Sequence, residues 1–356
     1  MERNTRSCQV GGTAPKGLVN AGRRRLALTT ALGGCLAAWP LIGAARAEPA
    51  RLRDSRPLMG TMVDIAVQAD DAALLRPALD AAFGRMTRLV HMMSHYEPTS
   101  SVAAINLAAG LQPVPINAEL MHVLEMARSV SQRSGGAFDV TIGSVGRWHF
   151  DAQNPRMPTP AYISNHLSAV DYRNLILDSR AGTAYLTKRG MQIDLGGIAK
   201  LYILKAGLDS LRQYGIENAL INGGGDVVAM SGASARPWRV GIRDARRPEQ
   251  LLAVLDVRRG FVASSGDYER FFVRDGQRYH HVLDPKTGYP ARGPHGVTLI
   301  GDELPAVNGL GAAAMVLDAA AGRDLLRRTV GVEGLIAGGD NSLWITPTLR
   351  ERLTLL

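Results

Sequence analysis

Cysteine is almost absent from this 356-residue chain: there are two, Cys8 and Cys35. Both fall within the first 47 residues, so a chain trimmed there carries no thiol, which excludes disulfides, a cysteine nucleophile and cysteine-ligated zinc. Aromatic residues are few, at 5%, but 46% hydrophobic and 21% charged residues suffice for a substantial core and exclude disorder, collagen and a coiled coil. The usual enzyme signatures are missing. There is no G-x-G-x-x-G after the first strand, no G-x-x-x-x-G-K-[ST], no G-x-S-x-G and no H-E-x-x-H, so the standard nucleotide, hydrolase and metalloprotease folds are not expected. After residue 48 no apolar run is long enough to span a bilayer, because Ala306 to Ala321 is short and contains Asn308 and Asp318. Acidic residues are scarce at the start. Residues 1–47 hold seven Arg and Lys against Glu2, so six of the nine formal positive charges sit there and three remain for everything after. A nucleic-acid partner thereby loses its support.

The leader itself is informative. Arg23-Arg24-Arg25 precedes an apolar run, Leu26 to Ala45, that contains Thr29, Thr30, Gly33 and Gly34 and ends at Ala45-Arg46-Ala47. This pattern predicts a secretory signal over 1–47 with an A-x-A cleavage site, of the twin-arginine type that exports folded proteins. A membrane anchor is disfavoured by Pro40 and the small-residue cleavage site. Lipid attachment at Cys35, within Leu32-Gly33-Gly34-Cys35, is the alternative. The expectation is a periplasmic protein with one domain over 48–356.

Alternation of Val63, Ile65 and Val67 predicts a strand, and the helical recurrence of Leu75, Leu79, Phe83, Met86, Leu89, Val90 and Met93 predicts an amphipathic helix from Asp71 to about Ser94. A second helix is expected over Ala118–Val130, and two more over Ile198–Leu211 and Val307–Leu317. Strands are expected at Met191–Leu195, Ala219–Asn222, Trp238–Ile242, Leu252–Val257, Glu269–Val273 and Val297–Ile300. Several strands follow one another with no helix between, which indicates α+β rather than a doubly wound parallel sheet.

Four segments stand out. Ile193-Asp194-Leu195-Gly196-Gly197-Ile198-Ala199-Lys200 runs from a strand through a glycine turn into a helix, a geometry that lets an anion approach unpaired N–H groups, though a Gly-Gly turn alone is more often plain architecture. Asn222-Gly223-Gly224-Gly225-Asp226 reads equally well as a ligand loop or a hairpin. In Tyr279-His280-His281-Val282-Leu283-Asp284, adjacent histidines on a strand face opposite ways, so one can serve a given site. Ala263-Ser264-Ser265-Gly266-Asp267-Tyr268 precedes it. Ser134 to Gly143, with Asp139, reads as a loop.

Taken together and in this order, these segments resemble the ApbE family, flavin transferases that move FMN from FAD onto a threonine hydroxyl of a partner protein. The resemblance also takes in Met59-Gly60-Thr61, Tyr96, Asn106 and Trp238-Arg239-Val240-Gly241-Ile242, and covers nearly all of residues 57–320. Each motif alone is weak; six in register are specific. The resemblance implies two intertwined α/β halves with FAD in the cleft between them and its diphosphate beside the glycine turn and a magnesium ion. It implies that Met59, Gly60, Thr61 and Tyr96 line the flavin pocket, that Asp194, Gly196, Gly197, Ala199 and Lys200 meet the nucleotide, and that Asp226, Ser265 and Gly266 complete the site. Asp267 and His281 would be catalytic, with His281 taking the proton. The family's magnesium positions fall on the Gly197 carbonyl, Asn308 and Ala312. There the sequence departs from the family: Asn308 replaces an aspartate and Ala312 a threonine, a poor set for a hard cation. Leu201, Lys205 and Ser101 also replace the usual glycine, aspartate and acidic residue. The partners implied are FAD and a threonine-bearing acceptor flavoprotein outside the inner membrane. Twin-arginine members of the family are associated with nitrous-oxide reductase maturation, which makes an exported respiratory flavoprotein a plausible acceptor. The rivals are a flavin-binding protein of the same fold without chemistry, and hydrolysis of FAD to FMN and AMP.

Overall fold

The computed structural model describes residues 49–151, 153–340 and 342–356. The expectations for the leader, namely the arginine signal, the Ala47 cleavage site and Cys35, lie outside the described residues. In chain order the first half comprises β1 (Ala50–Leu58), β2 (Thr61–Ala69), α1 (Leu75–Met93), α2 (Ser101–Leu107), β3 (Val114–Pro115), α3 (Ala118–Arg133), α4 (Pro160–Leu167), β4 (Leu175–Asp178), β5 (Thr183–Leu186) and α5 (Ala199–Gln213). Strands dominate next: β6 (Asn218–Gly223), β7 (Asp226–Met230), β8 (Trp238–Asp244), β9 (Arg247–Val257), β10 (Arg259–Gly266), β11 (Phe271–Arg274), β12 (Gln277–His280) and β13 (Gly296–Gly301). The chain closes with α6 (Leu304–Val307), α7 (Leu310–Val316), α8 (Ala319–Arg328), β14 (Glu333–Ala337), β15 (Leu343–Ile345), α9 (Pro347–Arg352) and β16 (Leu353–Leu355).

The expected α+β class is found. Eight strands form one antiparallel sheet in the order β1-β2-β6-β7-β10-β13-β14-β15. Its central strands are apolar on both faces, and the period of two sorts them between two cores. In β7, Val228 and Met230 join the core beneath α1 and α5, while Val227 and Ala229 join a second core shared with Val240, Ile242 and Leu255 of the β16-β9-β8 sheet. The first helix begins as predicted at Asp71, whose carboxylate caps the Ala73 amide, runs one 3-10 turn and then continues as α1. Gly207 lets α1 and α5 touch, since a Cβ there would lie 2.8 Å from Met86 Sδ.

Three expectations are corrected. Met191–Leu195 is not a strand: Met191, Ile193 and Leu195 do alternate inward, but the backbone makes one bridge, Ile142 to Gln192. The Gln192, Ile193 and Asp194 amides donate to the Ser144 side chain, the Asn106 side chain and the Val140 carbonyl respectively, so no neighbouring strand is needed. Val307–Leu317 is not one helix either, because α6 ends at an extended Asn308 and α7 starts after Gly309, whose φ is +74°. The strand expected at Glu269 starts at Phe271. β1 went unpredicted, since its inward positions are not uniformly apolar: its burial alternates, but its sequence is ARLRDSRPL.

Candidate functional site

One end of the large sheet collects most of the candidate residues. The β1–β2 and β6–β7 connections are two-residue hairpin turns, closed by the pairs Leu58–Thr61 and Gly223–Asp226. Both turns need positive φ at both central positions: +55° at Met59 and +71° at Gly60, then +60° at Gly224 and +94° at Gly225. The turns abut, because a Cβ on Gly224 would lie 2.7 Å from Thr61 Oγ1. Hence Asn222–Asp226 is a hairpin and also part of the site wall, with the Asn222 side chain accepting from the Gly225 amide at 3.1 Å.

Asp226 opens β7 and is buried. Its two oxygens are divided between the Ser264 amide at 2.9 Å, which ties it to β10, and Lys200 Nζ at 2.8 Å, which ties it to the first turn of α5. Ahead of that turn, Gly196 and Gly197 are exposed, and α5 begins without a side-chain cap. An exposed glycine turn at an uncapped N-terminus leaves room and donors for an anion. Asp194 turns the chain by accepting from the Gly196 amide at 2.7 Å. Burial pushes its carboxyl up, but His95, at 3.5 Å, the Gly196 amide and the charge of Arg270 outweigh this and hold it below the usual value.

Asn106 fixes this segment. Its side-chain oxygen accepts from the Ile193 amide at 2.7 Å and its nitrogen donates to the Ile193 carbonyl at 3.1 Å, so one amide plays the part of an adjacent strand. The Ser134–Gly143 loop is fixed by buried Asp139, which accepts from the Thr141 amide and hydroxyl and from the Tyr172 amide; burial nevertheless raises its carboxyl. That loop sets Phe138 beneath the turn, where a Cβ on Gly197 would lie 3.0 Å from the ring. Neither role was foreseen for Asp139 or Asn106, since a side chain serving backbone far away in sequence leaves no local pattern.

Tyr96 is 79% exposed and leans on His95 with ring centroids 3.8 Å apart. Partial burial and the Asp194 charge raise its hydroxyl. His281 is partly buried just after β12, where its amide and Nδ1 both face the Arg270 carbonyl, at 3.1 and 3.3 Å. Burial first, then Arg270, His280 and Lys200, hold its imidazole down at about 3, so it is neutral around pH 7. The two histidines do face opposite ways. His280 is buried with Nε2 on the Ala291 carbonyl at 2.9 Å.

Asp267 is not beside His281 by any hydrogen bond. It is buried between His295 Nδ1 at 2.7 Å and Arg278 at 3.0 Å, and so pins the β11–β12 hairpin to the start of β13. Ser265 faces α7, where a Cβ on Gly311 would lie 2.8 Å from its hydroxyl, and Gly266 lies under the Tyr268 ring, whose hydroxyl burial raises to about 12. Lys205 points away from the turn into an ion pair with Asp209. That pair lines a cavity of about 810 Å³ with Arg259 and Asp302; the cavity contains none of the candidate site residues, and its charges largely compensate one another.

The three positions that the family resemblance gives to magnesium do come together. Asn308 is buried, its nitrogen donating to the Ile198 carbonyl at 2.9 Å, and the Ala312 methyl lies 4.0 Å from where a Cβ on Gly197 would be. An amide donor and a methyl do not fit a hard cation. Among the described residues no group of three His, Cys, Asp or Glu side chains could hold a metal.

A sequence model of the ApbE family matches residues 59–336. The chain is 33% identical over 319 residues to the FAD:protein FMN transferase of Treponema pallidum, covering 84% of this chain and 88% of that protein. One from Klebsiella pneumoniae is 33% identical over 235 residues, covering 65% and 72%. Among solved structures, the ApbE protein of Thermotoga maritima superposes with a TM-score of 0.75 at 31% identity, covering 86% of this chain and 99% of that one. The flavin transferase ApbE of Vibrio cholerae gives a TM-score of 0.73 at 22% identity, covering 85% and 99%.

Proposed function

The chain belongs to the ApbE family, and from that membership we propose that it is an FAD:protein FMN transferase whose acceptor is a threonine hydroxyl of a target flavoprotein. The observation that carries the reading is the exposed Gly196-Gly197 turn ahead of the uncapped α5, with Lys200 in its first turn and a neutral His281 within electrostatic reach. In this reading the FAD diphosphate sits at the turn and the flavin lies toward Met59, Gly60, Thr61 and Tyr96. The threonine oxygen attacks the flavin-side phosphorus, the bond from that phosphorus to the bridging oxygen breaks, and AMP leaves with that oxygen. The hydroxyl proton goes to His281. Phosphates beside Lys200 and Arg270 offset the cations that hold the imidazole down, so the ring becomes a better base when FAD is bound. Asp226 keeps the Lys200 ammonium in place, and the backbone donors of the turn meet charge on the phosphate oxygens.

Asp267 we read as a positioning residue for the hairpin that carries His281. Magnesium is given no step, because the residues at its family position do not fit it. We read the leader as a twin-arginine signal, and the Arg23-Arg24-Arg25 run ahead of its apolar stretch supports an acceptor outside the inner membrane. The test is incubation with FAD and a threonine-bearing acceptor peptide, followed by denaturing electrophoresis. Covalent flavin fluorescence on the peptide is expected, together with its loss in His281→Ala while FAD still binds. FAD binding with no labelled peptide, under conditions where a related transferase labels it, would favour the rival reading of a flavin carrier, for which Asn308 and Ala312 speak.

A further inference from the structure

Two segments far apart in sequence meet at the floor of the candidate site: the start of α5 and the break between α6 and α7. The hydrogen bond between them comes from one side chain. Asn308 is 3% exposed, and its nitrogen lies 2.9 Å from the Ile198 carbonyl and 3.2 Å from Met126 Sδ. Both neighbours are acceptors, so the amide must turn its nitrogen toward them; the flipped rotamer would set oxygen against oxygen. The break itself is built for this contact. Asn308 is extended, with ψ 127°, and Gly309 takes φ +74°, which brings the two segments close enough that a Cβ on Gly309 would sit 3.4 Å from Ile198 Cδ1.

We propose that Asn308 takes the place of a divalent cation as the cross-link between the α5 turn and the α6–α7 break, so that this chain binds FAD and transfers flavin without magnesium. The proposal rests on the preceding section for the identity of the ligand. Its physical content is a matching of donors to acceptors. A carboxylate at 308 would place an anionic oxygen against the Ile198 carbonyl, an arrangement that holds only with a cation between them. The amide carries its own N–H and closes the same gap with no net charge. At position 312 the methyl offers nothing to a metal and faces Gly197, 4.0 Å from where a Cβ there would lie. Replacing a cation and a carboxylate by a neutral amide removes about one positive charge from the floor. Lys200 and the amides at the start of α5 then meet the diphosphate.

The experiment compares the purified protein with Asn308→Asp and the double variant Asn308→Asp, Ala312→Thr, each in EDTA and in excess Mg²⁺. It reads thermal midpoint without FAD and FAD affinity by flavin fluorescence. For the unsubstituted protein, the midpoint is expected to agree within about 1 °C and the FAD dissociation constant within about twofold between the two conditions. Asn308→Asp should melt about 5 °C lower in EDTA, from the loss of a buried hydrogen bond and an unpaired acceptor, and regain most of this in Mg²⁺. The double variant should add a rise of about tenfold in FAD affinity with Mg²⁺. An unsubstituted protein whose midpoint or FAD affinity collapses in EDTA and returns with Mg²⁺ overturns the proposal, whatever the variants do. So does an Asn308→Asp protein as stable as the parent in EDTA. Failure of FAD to bind under either condition would instead overturn the transferase reading, while the midpoints still decide the cross-link.

Discussion

Replacing Asn106 with alanine tests how the site's central segment is held. The side chain makes two hydrogen bonds, 2.7 Å from the Ile193 amide and 3.1 Å to its carbonyl, and Ile193 itself is 0% exposed. Alanine leaves one donor and one acceptor of the main chain without partners, each costing roughly 1–3 kcal/mol where water cannot reach. Asn106 is only half-buried, so some water enters the vacated space, and we expect about 2–3 kcal/mol in total. In a domain of this size that lowers the melting midpoint by roughly 4–6 °C. Asn106→Asp is the sharper control. It keeps the bond from the Ile193 amide but sets its second oxygen against the Ile193 carbonyl, so it should be no more stable than alanine. Urea unfolding followed by circular dichroism measures both, and FAD titration should show weakened binding, because Asp194 follows Ile193 directly. An alanine variant within about 0.5 kcal/mol of the parent, or an aspartate variant equal to it, would refute the clamp.

Two further outcomes are expected. His281 is held at about 3 in the folded chain, below its ordinary value of about 6.5, so the unfolded state takes up the proton first: stability is full above about pH 6.5 and falls as pH drops toward 3. Thermal midpoints between pH 7.5 and 5 should therefore fall less in His281→Asn than in the parent, with His280, also held down by burial, contributing equally in both; equal slopes would contradict the assignment. For the leader, replacing Arg23 and Arg24 by lysine should block export of a folded reporter fusion, and unchanged export would mean an ordinary secretory signal.

The fold was legible in the sequence wherever one period ran without interruption. The helices at 75–93, 118–133 and 199–213 and the strands at 218–223, 238–244 and 296–301 follow their apolar spacing. It misled where backbone satisfaction came from side chains: Met191–Leu195 has a strand's alternation but takes its partners from Asn106 and Ser144. At Asn308-Gly309 the helical spacing hid a dipeptide that commonly marks a turn. At the candidate site, Gly224 and Gly225 stood out because a two-residue turn with positive φ at both positions selects glycine, whereas Gly196 and Gly197 have no positive φ and stood out only as a glycine pair ahead of a helix start. Asp267 was visible as a residue but not in its partnership with His295, twenty-eight positions away, which no spacing rule connects.

The hairpin turns gathered at one end of the sheet bear on how the site comes into being during synthesis. β2 lies against β6, so Val63 waits for Gly223, and the floor closes only with Asn308. At roughly 5–20 residues per second, the first wall of the site leaves the ribosome on the order of 10–50 s before the last. Pairings this distant in sequence make for slow folding. The Gly196-Gly197 turn is thus synthesised before Gly223 and Asn308, and the arrangement that joins it to the β2–β6 end and to the α6–α7 break is complete only in the finished fold.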